Sequence, residues 1–174
     1  MKQLNEFMTN SLLEYSKDTS KLESHLSKFL DKNKFTLEIE KDIRGDKFTI
    51  MDNDKEVAQM EYMGIQELEF NIQSTKGVKV PNPDGNYLLM GTIVVNKEYR
   101  RQGIYTELIN ASTTMALKMG AKGLASLQWD IDSGEYERSP EATLVWDKLV
   151  KSNKATVIIS ETDDEEDTTF LKTK

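Results

Sequence analysis

Two arginines, a glutamine and a glycine stand together at Arg100-Arg-Gln-Gly103, inside the segment Asn96-Lys-Glu-Tyr-Arg-Arg-Gln-Gly-Ile-Tyr105, and the combination suits the holding of an anion. A helix start leaves several backbone N–H groups unpaired and pointing one way, and the aligned peptide dipoles add a partial positive charge there. A phosphate is the natural ligand of such an end. Gly103 lets the backbone approach an anion with no side chain between them, and Arg100 and Arg101 add charge outside the nest of amides. Taken alone, the same four residues also fit a polar turn with a glycine for tightness, so the reading depends on what flanks them.

The preceding run, Tyr87-Leu-Leu-Met-Gly-Thr-Ile-Val-Val95, is too continuously apolar and β-branched for an edge strand and reads as a central one. A helix is expected from Ile104 to Met119, with Gly120 as its stop. Leu124 to Trp129 then reads as a strand, Pro140 to Lys151 as a helix and Ala155 to Ser160 as a strand. Thr168 to Leu171 is expected to pair back with that last strand across the acidic loop Glu161 to Asp167. This half is β-α-β-α-β-β, which makes the chain a mixed α/β protein.

Earlier in the chain Leu4, Phe7, Met8, Leu12 and Tyr15 recur at helical spacing, and so do Leu22, Leu26, Phe29 and Leu30 after a capping-box pattern at Ser20-Lys-Leu-Glu23. From Phe35 the period becomes strand-like. Phe48-Thr-Ile50 and Val57 to Met60 read as the arms of a hairpin, Leu68-Glu-Phe70 as another strand, and Ser74 to Asn86, with two prolines, as a surface loop.

A length of 174 residues suits one domain, expected here over 1–174, with helices in 1–34, antiparallel strands in 35–86 and the anion-binding half in 87–171. No apolar run approaches the roughly 20 residues that cross a bilayer, so no membrane partner is expected. The first ten residues lack the apolar core of a secretory signal, which points to the cytoplasm. With no cysteine and only His25 as histidine, thiolate and multi-histidine metal sites are excluded, and no metal is expected. A formal charge of −7 argues against nucleic acid and for a basic partner.

Two stretches resemble a known family. Val95-Asn-Lys-Glu-Tyr-Arg-Arg-Gln-Gly-Ile-Tyr-Thr-Glu-Leu-Ile109 is similar to motif A of the GNAT N-acetyltransferases, in which Arg/Gln-x-x-Gly-x-Gly/Ala opens a helix after a strand. Arg100 and Gly103 match, and Tyr105 stands where the family prefers glycine or alanine. Ser139-Pro-Glu-Ala-Thr-Leu-Val-Trp-Asp-Lys-Leu149 is similar to the family's later helix pattern Asn-x-x-Ala-x-x-x-Tyr, with Ser139, Ala142 and Trp146 at those places. The resemblance implies the GNAT acyl-CoA N-acyltransferase fold, a mixed and mostly antiparallel central sheet flanked by helices. It also implies acetyl-CoA as co-substrate. Two central strands would splay at the end of Tyr87 to Val95, with the coenzyme held by Ile93, Val94, Val95, Arg100, Arg101, Gln102, Gly103, Ile104, Tyr105, Thr106 and Ser139.

The implied reaction moves an acetyl group directly to a primary amine, of a small molecule or of a protein lysine, and needs no cysteine nucleophile. The family's tyrosine acid falls at Trp146, whose indole has no proton to deliver, and a strand glutamate of some members falls at Leu89. Asp130 is the leading candidate base, with Asp132, Glu61 and Glu69 behind it. Trp146, Leu89 and Tyr105 favour an alternative, a GNAT-fold protein that has lost turnover and acts as a binding or inhibitory module. The intact Arg-Arg-Gln-Gly turn keeps the enzyme ahead. A third reading is a scaffold whose helical N-terminus docks a partner chain.

Overall fold

The computed structural model describes residues 20–42, 45–128, 139–162 and 165–173. The helix expected at Leu4 to Tyr15, Trp129 and the candidate bases Asp130 and Asp132 lie outside them. The described helices are α1 (Ser20–Asn33), α2 (Ile104–Lys118) and α3 (Pro140–Lys151). Eight described strands run β1 (Thr36–Asp42), β2 (Gly45–Asp52), β3 (Lys55–Leu68), β4 (Ile72–Gly77), β5 (Gly85–Val95), β6 (Leu124–Gln128), β7 (Thr156–Thr162) and β8 (Glu165–Lys172). They form one sheet in the order β1-β2-β3-β5-β6-β8-β7-β4, in which only β5 and β6 are parallel neighbours. No described helix is long and apolar enough to cross a membrane.

Successive residues of a strand face opposite sides of a sheet, and β5 is buried on both. Leu88 and Met90 join the main core, together with Leu22, Leu26 and Leu30 of α1 and Leu108, Ile109 and Met115 of α2. Tyr87 and Leu89 join a smaller cluster with Ala125, Ile158 and Leu171. Each fully buried leucine or isoleucine contributes about 1.5–3 kcal/mol, so the three helical leucines alone hold α1 firmly. Two hydroxyls enter this core satisfied: Ser112 donates to the Leu108 carbonyl at 2.6 Å and Thr113 to the Ile109 carbonyl at 2.7 Å.

Three sequence expectations need correction. The stretch Glu161 to Asp167, expected as an acidic loop, is mostly strand: Glu161 and Thr162 end β7, and Glu165 to Asp167 open β8. Leu68-Glu-Phe70 is not a strand of its own, because β3 runs without a break from Lys55 to Leu68 and Phe70 follows it. The loop expected over Ser74 to Asn86 begins inside β4 and ends inside β5. Every residue of β4 is exposed, so this edge strand has no buried face and its sequence shows no apolar alternation to be read.

His25 lies on α1, partly exposed, with its Nε2 buried and no hydrogen-bond partner for it among the described residues. Burial, and secondly the charge of Lys118, lower its pKa below the ordinary 6.5. The neutral form is favoured on folding, so this contribution to stability is complete above pH 6.5 and is lost as the pH falls toward the lowered folded value. Denaturation midpoints measured between pH 7 and pH 5 are expected to fall less steeply for His25→Gln than for the wild type. Parallel curves would refute the assignment.

Candidate functional site

The site begins where two strands part. β5 and β6 pair only at Leu88 with Leu124 and Leu89 with Ala125. Beyond that point β6 pairs with β8 through Gln128, whereas β5 continues to Val95 with β3 as its one neighbour. One backbone edge of Met90 to Val95 is therefore left without a strand, and burial along β5 changes there from complete to alternating. Backbone groups so exposed need a partner from water or a ligand.

β5 is also bent at this point. Met60 pairs with Ile93 but Tyr62 with Met90, so β5 carries one residue more than β3 across the interval, and β3 carries the extra residue in the next. Paired bulges re-aim a strand and sharpen its twist. Gly91 lies in the first of them, where a Cβ would come 3.2 Å from the Glu61 carbonyl oxygen.

After β5 a short 3-10 turn, Lys97–Tyr99, is fixed by the Tyr99 hydroxyl, which donates to Asp52 at 2.9 Å. That bond is the first cause of the raised pKa of Tyr99, with burial and the charges of Asp52 and Glu98 adding to it. Arg101 then adopts φ 66° and Gly103 φ 82°, both left-handed. Gly103 caps α2 with no side-chain acceptor, and the bond from Glu107 N–H to the Gly103 carbonyl at 3.0 Å closes its first turn. The amides ahead of Glu107 point out of the helix end, and a Cβ on Gly103 would meet nothing within 4 Å.

These elements border a cleft of about 920 Å³ whose far wall is α3. Ile93, Val94 and Val95 line it from the open edge of β5, and Arg100, Arg101 and Gly103 from the loop. Ile104, Tyr105 and Thr106 line it from the first turn of α2, and Ser139 from the start of α3. Gln102 is exposed and is not among the lining residues. Tyr105, in place of a small residue, is partly buried against the main core. The Ser139 hydroxyl is engaged as the cap of α3, accepting the Ala142 N–H at 3.2 Å.

Arg100 is already committed. Its Nε donates to the Val95 carbonyl at 3.1 Å and its guanidinium meets Glu141 of α3 at 3.5 Å, so one side chain spans the mouth of the cleft from β5 to α3. Glu141 is the sole carboxylate among the described lining residues, against Arg100, Arg101, Lys148 and Lys154. Glu61 and Glu69, considered as bases, are exposed and are not among the lining residues.

Trp146 does not face the cleft. It is fully buried in the main core, 5.6 Å from Phe170 between ring centroids, with its indole Nε1 unpartnered among the described residues. Leu89 is 1% exposed at the vertex where the strands part. Lys148 and Lys154 line the cleft without having been singled out from the sequence. The signal available for Lys148 was its place on the stripe Glu141, Leu144, Val145, Lys148 and Ser152, beside the buried stripe Ala142, Trp146 and Leu149.

The model of the acetyltransferase (GNAT) family matches residues 48–139, more than half of the 174-residue chain. The chain belongs to the GNAT acetyltransferase family. The matched span runs from β2 through the uncapped turn to the residue before α3, and so includes both strands that part at the vertex. This GNAT domain is a mostly antiparallel eight-stranded sheet flanked by three described helices. No curated protein matches the sequence. Among solved structures the GNAT domain is similar to the ribosomal-protein-S18-alanine N-acetyltransferase from Escherichia coli, at 18% identity and a TM-score of 0.43, over 84% of this chain and 76% of that one.

Proposed function

We propose that this GNAT domain binds acetyl-CoA in the cleft and moves its acetyl group directly to a primary amine. The observation that carries the reading is the open backbone edge of Met90 to Val95 beside an uncapped helix end, joined by a turn with two left-handed residues. An amide-bearing arm adds to such an edge as a further strand would, and a pyrophosphate suits amides that converge at a helix start. The room around Gly103 and the charges of Arg100 and Arg101 beside it support the fit. We assign the coenzyme to Ile93, Val94, Val95, Arg100, Arg101, Gln102, Gly103, Ile104, Tyr105, Thr106 and Ser139, within a single domain over 1–174.

When bound, acetyl-CoA would supply an activated thioester, whose transfer to a neutral amine makes a C–N bond, breaks the C–S bond and leaves one amine proton to be passed on, in the end to the departing thiolate. The chain's own part is to hold the arm along β5, to exclude water with Leu144 and Val145 of α3, and to give the amine proton a destination. Asp130, two residues beyond β6, is our candidate for that acceptor. The proposed setting is the cytoplasm and the proposed substrate an amine of a small molecule or a protein lysine.

Calorimetric titration with acetyl-CoA tests the reading directly. Saturable binding is expected, and its absence at millimolar coenzyme would refute it. Glu141→Gln removes the carboxylate that competes for Arg100 and repels phosphate. Affinity for acetyl-CoA is expected to rise a few-fold, and more at low salt, because an exposed ion pair is worth about 0.2–1 kcal/mol. Unchanged or weaker binding would show that the pair positions Arg100 instead.

The buried Trp146 favours a second reading, a domain that binds the coenzyme without turnover. Binding with no release of free thiol in the presence of amines would establish that one.

A further inference from the structure

Beyond the acetyltransferase reading, on which it rests, the cleft carries a second basic pair whose place in the sheet identifies the kind of amine. Leu89, Ala125, Leu171 and Thr156 pair in one row across β5, β6, β8 and β7. That row is the vertex, the closed end of the cleft. Lys154 precedes Thr156 by two residues, so it stands just behind this row, on the side away from the opening, and it lines the cleft there.

Lys148 reaches the same region from α3. It follows Glu141 by two helical turns on the same face, about 10.5 Å along the axis, with Leu144 and Val145 between them. Glu141 marks the open end through its contact with Arg100. The cleft thus runs from a paired arginine, past an apolar stretch, to two lysines.

Neither lysine side chain forms an ion pair or hydrogen bond with any described residue, although acidic residues outnumber basic ones by 30 to 23 in the whole chain. Lys172, 7% exposed and outside the lining, has its pKa lowered first by burial and then by the charge of Lys154. Ammonium groups gathered in a cleft with apolar walls repel one another and attract an anion.

The phosphates of the coenzyme do not meet this need. They are assigned to the α2 end, and an arm laid along β5 from Val95 toward Leu89 carries its reacting end, not its phosphates, to the vertex. We propose that the acceptor is an amine that also bears a carboxylate or a phosphate, and that Lys148 and Lys154 bind this anionic group at the closed end of the cleft.

The test follows thiol release from acetyl-CoA with glycine against glycinamide and O-phosphoethanolamine against ethanolamine, in the full chain and in a Lys148→Gln, Lys154→Gln double variant. The anionic member of each pair is expected to have the higher kcat/KM, and the double variant to reduce that preference by about tenfold or more, as befits a charge-assisted hydrogen bond. Acetyl-CoA affinity, measured by calorimetry, should survive in the variant.

A preference that is absent, or that the variant retains, overturns the proposal, as does acetyl-CoA binding without turnover of either anionic amine. Succinyl-CoA forms a separate arm: a loss in the variant confined to this anionic acyl donor would place the anion on the donor and overturn the proposal too. If acetyl-CoA does not bind at all, the acetyltransferase reading fails and this inference with it. Binding without the charge preference defeats the inference alone.

Discussion

Gly103→Glu is expected to weaken acetyl-CoA binding by at least about a hundredfold, equivalent to about 2.7 kcal/mol. Two effects add. The residue sits at φ 82°, where an L side chain costs about 1–2 kcal/mol, and the new carboxylate enters the space in which a phosphate is to be held. Because a Cβ there would meet nothing within 4 Å, the variant should fold, and its denaturation curve provides the check. Gly103→Asn is the control, since asparagine tolerates the left-handed region and brings no charge. It should lose far less affinity. Equal binding by the glutamate variant and the wild type would remove the helix end from the coenzyme site.

Trp146→Ala is expected to lower stability by about 3–5 kcal/mol, the range for deleting a large buried aromatic. The indole is fully buried between α3 and Phe170 of β8, so the cavity opens under the helix that forms the far wall of the cleft. Urea denaturation would register the loss, and a change under about 1 kcal/mol would contradict the burial. Trp146→Tyr restores the residue type that the family pattern favours at this position. Its hydroxyl would point into apolar packing, away from the cleft, so the expected outcome is a less stable protein with no faster turnover. A gain in turnover would show that α3 turns this residue toward the reacting centre.

The parts of the fold that were legible in the sequence are those governed by local pattern. Tyr87 to Met90 is buried on both faces, and its continuous apolar run announced a central strand. The helix after Gly103 shows the apolar period that Ile104, Leu108 and Met115 satisfy in the core. Trp146 is a case in which the local pattern was the better guide. Ala142, Trp146 and Leu149 form one buried stripe, and that spacing points the indole into the core, whereas the family resemblance drew it toward the chemistry. What the sequence could not display depends on residues far apart in the chain. The separation of β5 from β6 follows from β6 pairing with β8. The tie from Arg100 to Glu141 bridges a loop and a helix whose approach no short motif encodes. The two bulges of β3 and β5 are a matter of register between strands, and either strand alone reads as regular.

β4 has a consequence for the order in which the molecule is assembled. It is made before β5, yet its one partner, β7, comes roughly eighty residues later, a long loop to close and a slow kind of contact to form. Until β7 has been synthesised, the polar backbone row of β4 has no native strand to bond, and in that interval it is a ready template for a foreign edge. α3 packs against both β4 and β7, so the far wall of the cleft rests on this late pairing. A ribosome therefore completes the loop from Arg100 to Gly103 and the open edge of β5 well before the opposing wall of the cleft can be seated.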